Sequence, residues 1–338
     1  FFLLSGLLFL LFSEKRALLR TPYPYLAAGV SLVVFLPVIV WNAQHDWVTL
    51  RHTAGQAHIA SGLQLTPQAF AEFLGSQIGA VTPILFVLTI PALFIKHLLK
   101  KDVRHQFLFW FGVPIIVFFL AKSLQAKVQP NWAMTGYITA LAAVCTAAFG
   151  GYGLPEKTRE RLRRFFHIGF ALALLATVAA HVVPATTLLP VKLDPSARLR
   201  GWQQMGAQVG AIEKMLTEQG GVLIFSDSYQ VASELAFYVP THPKTYCINN
   251  GRRMNQYDFW PDMNSAAETL KRTGVQAING IYVAAGNATL PQSVAGAFER
   301  FEKRVIPVYD KGQRPLREYS VFICYGFRGL AAVRPTTF

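Results

Sequence analysis

Long apolar runs recur from Phe1 to Leu189, and short alternating elements replace them after Pro190. A helix rises about 1.5 Å per residue, so crossing about 30 Å of hydrocarbon takes some twenty apolar residues. Tyr25–Trp41, Phe107–Ala121, Trp132–Gly150 and Phe165–Leu189 read as four such spans. Phe70–Leu99 is too long for one straight span. It predicts an interfacial helix from Phe70, an interruption near Thr82-Pro83, and then a span. Pro83 and Pro91 permit kinks, because a missing amide cannot bond to the preceding turn. Phe1–Phe12 is apolar but short, and neither basic residues nor a cleavage site accompany it as in a signal peptide. We read it as the trailing end of a helix that starts upstream, so the chain is expected to be the C-terminal part of a longer protein. The total expected is about six spans.

Charge changes this picture from a list of helices into an oriented one. Only 15% of the 338 residues are charged, against roughly 25% in soluble domains. Mean hydropathy is +0.32. The segments Ser13–Arg20, Lys96–Arg104 and Glu156–Arg164 hold twelve Lys and Arg; the alternate loops Asn42–Pro67 and Lys122–Asn131 hold three, Arg51, Lys122 and Lys127. This asymmetry predicts that the basic loops are cytoplasmic and the others external. Much of the net charge of +14 is then topological rather than a nucleic-acid surface. Two domains are expected: 1–190, the membrane part, and 191–338, a soluble extracytoplasmic domain.

In that second domain Met205, Val209, Ile212 and Leu216 recur at helical spacing before Gly220-Gly221. Val222–Phe225 reads as a buried strand, with Asp227-Ser228 capping a helix that runs through Tyr238. Thr245–Ile248 is a short strand closed by Asn249-Asn250-Gly251. Ser265 and Glu268 are spaced as a capping box for a helix stopping at Gly274. Val275–Ala285 contains a strand, Pro291 opens a helix, and strands Arg304–Tyr309 and Glu318–Tyr325 close a hairpin across Lys311–Pro315. The pattern predicts a small α/β domain with a mixed sheet. Cys247 and Cys324 both fall in strand-like runs and read as buried thiols, although an oxidising compartment permits a disulfide. Cys145, within a span, reads as packing.

Motifs for nucleotide, zinc-protease, serine-hydrolase or dithiol chemistry are absent. Gly150-Gly151-Tyr152-Gly153 reads as a helix end, and Asn287-Ala288-Thr289 as a sequon by pattern only. The external stretch Trp41-Asn42-Ala43-Gln44-His45-Asp46-Trp47-Val48-Thr49-Leu50-Arg51-His52 is denser in chemistry. An interfacial belt accounts for its tryptophans; His45, Asp46 and Arg51 suit acid–base work or an anionic headgroup. Lys122 and Lys127, on the side poor in basic residues, are either snorkelling anchors or holders of a lipid-linked phosphate. Ser226-Asp227-Ser228-Tyr229 ends a strand where ligands often bind, though a helix cap is reason enough for it. The loop Asn249–Trp260, with Arg252 and Arg253, combines arginines, amides and aromatics as sugar or phosphate recognition does, and as a salt-bridged packing surface also does.

Four runs together resemble bacterial family 39 glycosyltransferases. They are Trp41-Asn42 with His45-Asp46-Trp47; Lys127-Val128-Gln129-Pro130-Asn131-Trp132; Tyr229–Tyr238; and Gly251-Arg252-Arg253 with Gln256-Tyr257-Asp258 and Trp260. This group is similar to dolichyl-phosphate-mannose–protein mannosyltransferases and to the aminoarabinose transferase of lipid A. The resemblance implies a GT-C fold: a multi-pass protein of the bacterial inner membrane with its C-terminal domain periplasmic. It also implies transfer from a polyprenyl-phosphate-linked sugar donor to a lipid, glycan or protein acceptor of the cell envelope. The catalytic carboxylate it implies belongs to an earlier external loop that matches no residue here, so the chain alone is expected to be inactive. Lys127, Arg51, His45, Asp46, Asn131, Trp132, Arg252 and Arg253 are the candidate donor- or substrate-binding residues. Some members of the group need a divalent metal and others do not. The competing reading from another class is a transporter or flippase, which predicts an internal repeat and polar or ionisable residues in mid-span; no repeat is found, and Glu72 is the only carboxylate near an apolar run, close to its external edge. A ligand-binding receptor would carry a signalling module beyond the last span, and none is seen.

Overall fold

The computed structural model describes residues 1–56, 65–95, 99, 101–186, 189–310 and 313–331. Two compact units, Phe1–Ala180 and His181–Phe338, are described separately.

The first unit is helical: α1 (Phe2–Phe12), α2 (Tyr23–Gln44), α3 (Val48–Gln56), α4 (Pro67–Val81), α5 (Pro83–Leu93), α6 (Val103–Ser123), α7 (Met134–Ala148) and α8 (Glu156–Ala185). Among the described residues α2, α6 and α8 are single helices long and apolar enough to cross a membrane. The segment expected to break at Thr82-Pro83 does so: α4 and α5 meet at a 97° bend, and together they pass the same test. Thr82 lies there at φ 71°, in the left-handed region, while Pro83 starts the new helix. The count therefore differs from the six expected. Helix α7 has 15 residues, about 22 Å of rise, because Pro130–Ala133 is wound as a separate 3-10 turn rather than as its first turn. Helix α1 has 11 residues. Lys96 to Leu98, the expected end of the broken span, lie outside the described residues.

Packing concentrates between α5, α6 and α7, whose Leu85, Leu88, Ile115, Phe119, Tyr137 and Val144 share one core. Gly112 and Gly136 allow α6 and α7 to cross closely, since a Cβ on Gly136 would stand 2.8 Å from Ile116 Cγ1 and 2.9 Å from the Gly112 carbonyl oxygen. Association of helices inside lipid depends on such close approach rather than on expelling water. Helix α2 buries only Asn42, so its Val33, Val34 and Phe35 stay exposed.

The second unit adds α9 (Trp202–Thr217), β1 (Gly221–Ser226), α10 (Tyr229–Tyr238), β2 (Thr245–Cys247), α11 (Met263–Arg272), β3 (Ile278–Ala285), α12 (Gln292–Ala297), β4 (Phe298–Tyr309) and β5 (Pro315–Phe327). The sheet order is β2-β1-β3-β5-β4, with parallel β2/β1 and β1/β3 pairs and antiparallel β3/β5 and β5/β4 pairs. It is the mixed sheet expected. Alternation along the strands feeds two cores. Ile281, Val283, Val321 and Ile323 join Met205, Val209, Ile212 and Leu216 of α9 on one face. Tyr282, Ala284, Phe322 and Cys324 join Met263 and Ala267 of α11 on the other. Every described helix of this unit is thus set by an apolar stripe against one face of one sheet.

Two local expectations are corrected. The cap of α11 is Asp262 rather than Ser265: Asp262 Oδ1 accepts from the Ser265 amide and hydroxyl, both at 2.8 Å. A carboxylate at the helix start outcompetes a hydroxyl three residues on, because it also meets the positive end of the helix dipole. The hairpin strands are longer than expected, beginning at Phe298 and ending at Phe327, since charged residues Glu299–Arg304 occupy an edge strand. Cys247 and Cys324 are free and buried. They sit on β2 and β5, three strands apart at about 4.8 Å each, too far to bridge. Burial pushes the Cys324 thiol up to about 12.

Segment 190–201 is tied to this fold by charge. Buried Asp194 and Asp310 flank Arg200, whose guanidinium bonds both, and Arg314 Nη2 also donates to Asp310 Oδ2 at 3.0 Å. Arg317 Nη2 donates to the Ala197 and Arg200 carbonyls at 2.7 Å each.

Two outcomes follow from this packing. Gly136→Val should lower the thermal stability of the purified protein by about 1–3 kcal/mol through overpacking at the α6–α7 crossing, whereas Gly75→Val, at an open position, should cost less. The second outcome concerns acid. The Ser196 hydroxyl and amide, then Arg200, hold the Asp194 carboxyl below the usual carboxylate range. A depressed folded-state pKa contributes stability that is complete above the unfolded value near 3.9 and is lost as pH falls through the folded value. Melting temperature followed from pH 5 downward should therefore fall less steeply for Asp194→Asn than for the parent; parallel curves would refute the linkage.

Candidate functional site

The first unit has two chemically different ends, each closed by hydrogen bonds between loops far apart in sequence. At one end Gln106 accepts from the Glu14 amide at 3.3 Å and donates to the Leu99 carbonyl at 2.9 Å. Beside it His105, fully buried, lies 3.0 Å through Nε2 from the Leu93 carbonyl and 2.9 Å through Nδ1 from the Tyr152 hydroxyl. The carbonyl can only accept, so Nε2 carries the proton and Nδ1 accepts from Tyr152. These bonds join the first two basic segments through Glu14 and Leu99, and Gly150–Gly153, just before the third, brings Tyr152 inward. Lys96 and Lys100 of that set lie outside the described residues.

At the opposite end the Thr66 amide donates to the Leu124 carbonyl at 2.6 Å, and Gln77 Nε2 donates to the Pro130 carbonyl at 3.1 Å. The two loops poor in basic residues are thereby joined at one end. Between these anchors residues 126–129 alternate: Ala126 and Val128 are buried, Lys127 and Gln129 exposed. The bundle thus holds Lys127 through its neighbours and presents its ammonium outward. Lys122 differs, because its Nζ donates to Gln125 Oε1 at 2.7 Å within its own turn. Asn131 and Trp132 follow in the exposed 3-10 turn, with the Trp132 ring 6.0 Å from that of Phe119.

Buried Asn42 builds the corner at the C-terminal end of α2. Asn42 Nδ2 donates to the Val38 carbonyl at 2.9 Å, Oδ1 accepts from the Thr49 amide at 3.1 Å, and its carbonyl accepts from the His45 and Trp47 amides. Asp46 and Trp47 turn the chain into α3 at φ 53° and 56°, a left-handed pair costing about 1–2 kcal/mol per residue. His45 stacks on Trp41 at 4.1 Å between centroids, and its Nδ1 lies 2.7 Å from the Trp41 carbonyl. Asp46 is exposed, as is Arg51 on α3. Asn42 was quoted in this run without a role; its burial beside an apolar span is the signal that identifies it.

In the second unit Arg252 is spent on its own loop. All five of its N–H groups are bonded: Nε to the Ile248 carbonyl, Nη1 to Asp258 and the Arg253 carbonyl, and Nη2 to Asp258 and the Cys247 carbonyl. Asn255 and Asp258 close a capping box around the same turn. Arg253 is exposed. Ser226-Asp227-Ser228 acts as a cap, with Ser228 accepting from Val231. Among the described residues no three His, Cys, Asp or Glu side chains come together to hold a metal. Arg252→Ala should cost about 1–3 kcal/mol by leaving half-buried Asp258 without its charge-assisted partner, and Arg252→Lys should recover only a minor part. Hydrogen exchange across 249–260, with loss of protection in both variants, is the measurement.

No family model and no solved structure matches the chain. It is 30% identical over 215 residues to the lipid A galacturonosyltransferase RgtD of Rhizobium johnstonii, an alignment covering 63% of this chain. The chain spans 42% of that relative's length.

Proposed function

We propose that this chain is part of a membrane glycosyltransferase that passes a sugar from a polyprenyl-phosphate-linked donor to a lipid acceptor outside the cytoplasm. The observation that carries the reading is the likeness to a lipid A galacturonosyltransferase over 215 residues. The asymmetry between basic segments holding twelve Lys and Arg and alternate loops holding only Arg51, Lys122 and Lys127 supports it. Basic loops face the cytoplasm, so the opposite end and the C-terminal domain are extracytoplasmic.

In this reading the donor phosphate sits against Lys127. As the glycosidic bond breaks, the departing phosphate gains charge, and a fixed ammonium stabilises that state more than the bound donor. Arg51 is the second cation, and Asn131 and Trp132 border the same turn. The base that takes the proton from the acceptor hydroxyl is a carboxylate of the full-length enzyme, and this chain supplies the phosphate side.

The full-length enzyme in membranes tests the assignment. Lys127→Ala should lower turnover with the lipid-linked donor by roughly ten- to hundredfold, the cost of about 1.5–3 kcal/mol for one charge-assisted phosphate contact. Lys127→Arg should restore part of it. Lys122→Ala should change little, since that ammonium is bonded to Gln125. Wild-type kinetics in both alanine variants would make both lysines membrane anchors.

A further inference from the structure

The second unit contains a cleft that the transferase reading does not use. It runs beside the edge strand β2 and has a volume of about 180 Å³. That is below the roughly 300–1,000 Å³ of pockets for drug-sized ligands, so it suits one ring rather than an extended molecule. Trp260, 51% exposed, lies along one side with its ring 5.0 Å from that of Tyr257. Tyr246 lies in the wall, with the Lys244 ammonium 5.5 Å from its ring centroid. Asp258 and Asp262 are the cleft's carboxylates, and Thr245, Asn249 and Asn264 add uncharged polar groups.

The two carboxylates differ. Asp258 is neutralised: its oxygens accept from Arg252, from the Asn255 amide at 2.7 Å and from Asn249. Asp262 uses Oδ1 to cap α11, and among the described residues its Oδ2 has no hydrogen-bond partner. A phosphate or carboxylate entering here would meet that charge, and the start of α11 is already occupied by the capping group. An uncharged ligand with hydroxyls would instead donate to Asp262 Oδ2. The exposed indole face offers apolar contact to a ring whose C–H groups lie on one side and whose polar groups project from its edge.

We infer that this cleft is a binding subsite for one uncharged pyranose ring, stacked on Trp260 and hydrogen-bonded to Asp262. The inference goes beyond the transferase reading and does not depend on it. A bilayer contact is the competing occupant for an exposed tryptophan. The Asp262 carboxylate at the cleft disfavours it, because it would repel an anionic headgroup.

The test uses the whole chain in nanodiscs, with binding read directly and without turnover. Saturation-transfer NMR with methyl β-galactopyranoside and methyl α-mannopyranoside in the millimolar range should show saturation of the sugar C–H protons by at least one of them. Trp260→Ala should weaken this by roughly tenfold or more, and Trp260→Phe should recover part of it. Asp262→Asn keeps a good helix cap, so it should weaken binding several-fold while α11 stays protected from hydrogen exchange. Inorganic phosphate and methyl galacturonoside should compete poorly. Absence of a sugar signal in the parent, equal signals in the parent and Trp260→Ala, or stronger binding of the anions would each overturn the inference. Quenching by brominated lipid that is present in the parent and lost in Trp260→Phe would overturn it in favour of a membrane contact, the other five tryptophans being common to both. Loss of transferase activity in Lys127 variants with sugar binding retained would leave the two readings separately decided.

Discussion

A polar N–H buried in an apolar bundle is costly unless it finds an acceptor inside the protein, and the end that carries Lys127 is built around one such group. Gln77 is wholly buried on α4, and its amide reaches the Pro130 carbonyl 53 residues away. In a lipid phase the alternative is an unpaired amide costing several kcal/mol, so the bond is close to obligatory. It holds the Pro130 turn against α4, while the Thr66–Leu124 bond holds the loop before it. The position of Lys127, between the two, follows from both. The basic end obeys the same rule through His105 and Gln106, each buried and each bonded to a loop rather than to its own helix.

Elements whose signal is local were legible in the sequence. The break at Thr82-Pro83 follows from proline chemistry, and the stripe Met205, Val209, Ile212, Leu216 follows from the 3.6-residue period. The order of strand and helix after Pro190 was legible for the same reason. Two misreadings share the opposite cause. The 3-10 turn at Pro130–Ala133 shortens α7 because Gln77, on a distant helix, captures its carbonyl. The cap of α11 is Asp262 because its carboxylate competes with Ser265 over three residues, which spacing alone does not rank.

The candidate site divides along the same line. Residue types were readable from the chain, whereas the availability of each side chain was not. Arg252 carries a sugar-binding residue type, yet its five donors close on Asp258 and the carbonyls of Cys247, Ile248 and Arg253. The clasp of Arg200 with Asp194 and Asp310 went unread because one partner lies 110 residues away. Trp260 was visible as an aromatic, but its exposure beside a cleft is a property of how that loop folds back on β2.

Availability is the physical criterion that separates these groups. A cation whose hydrogen bonds are complete must give up existing contacts before it binds a phosphate, and the exchange returns little free energy. Arg252 is of that kind, with all five donors used, and Lys122 approaches it in part, one of its donors being spent on Gln125. Lys127 is positioned by the burial of Ala126 and Val128 on either side, so its geometry does not consume its charge. Asp262 repeats the logic with opposite sign, one oxygen fixing the carboxylate on α11 and the other left for a donor. A charged side chain whose position leaves a reactive atom unspent is preorganised for a ligand, Lys127 through the burial of its neighbours and Asp262 through its second oxygen.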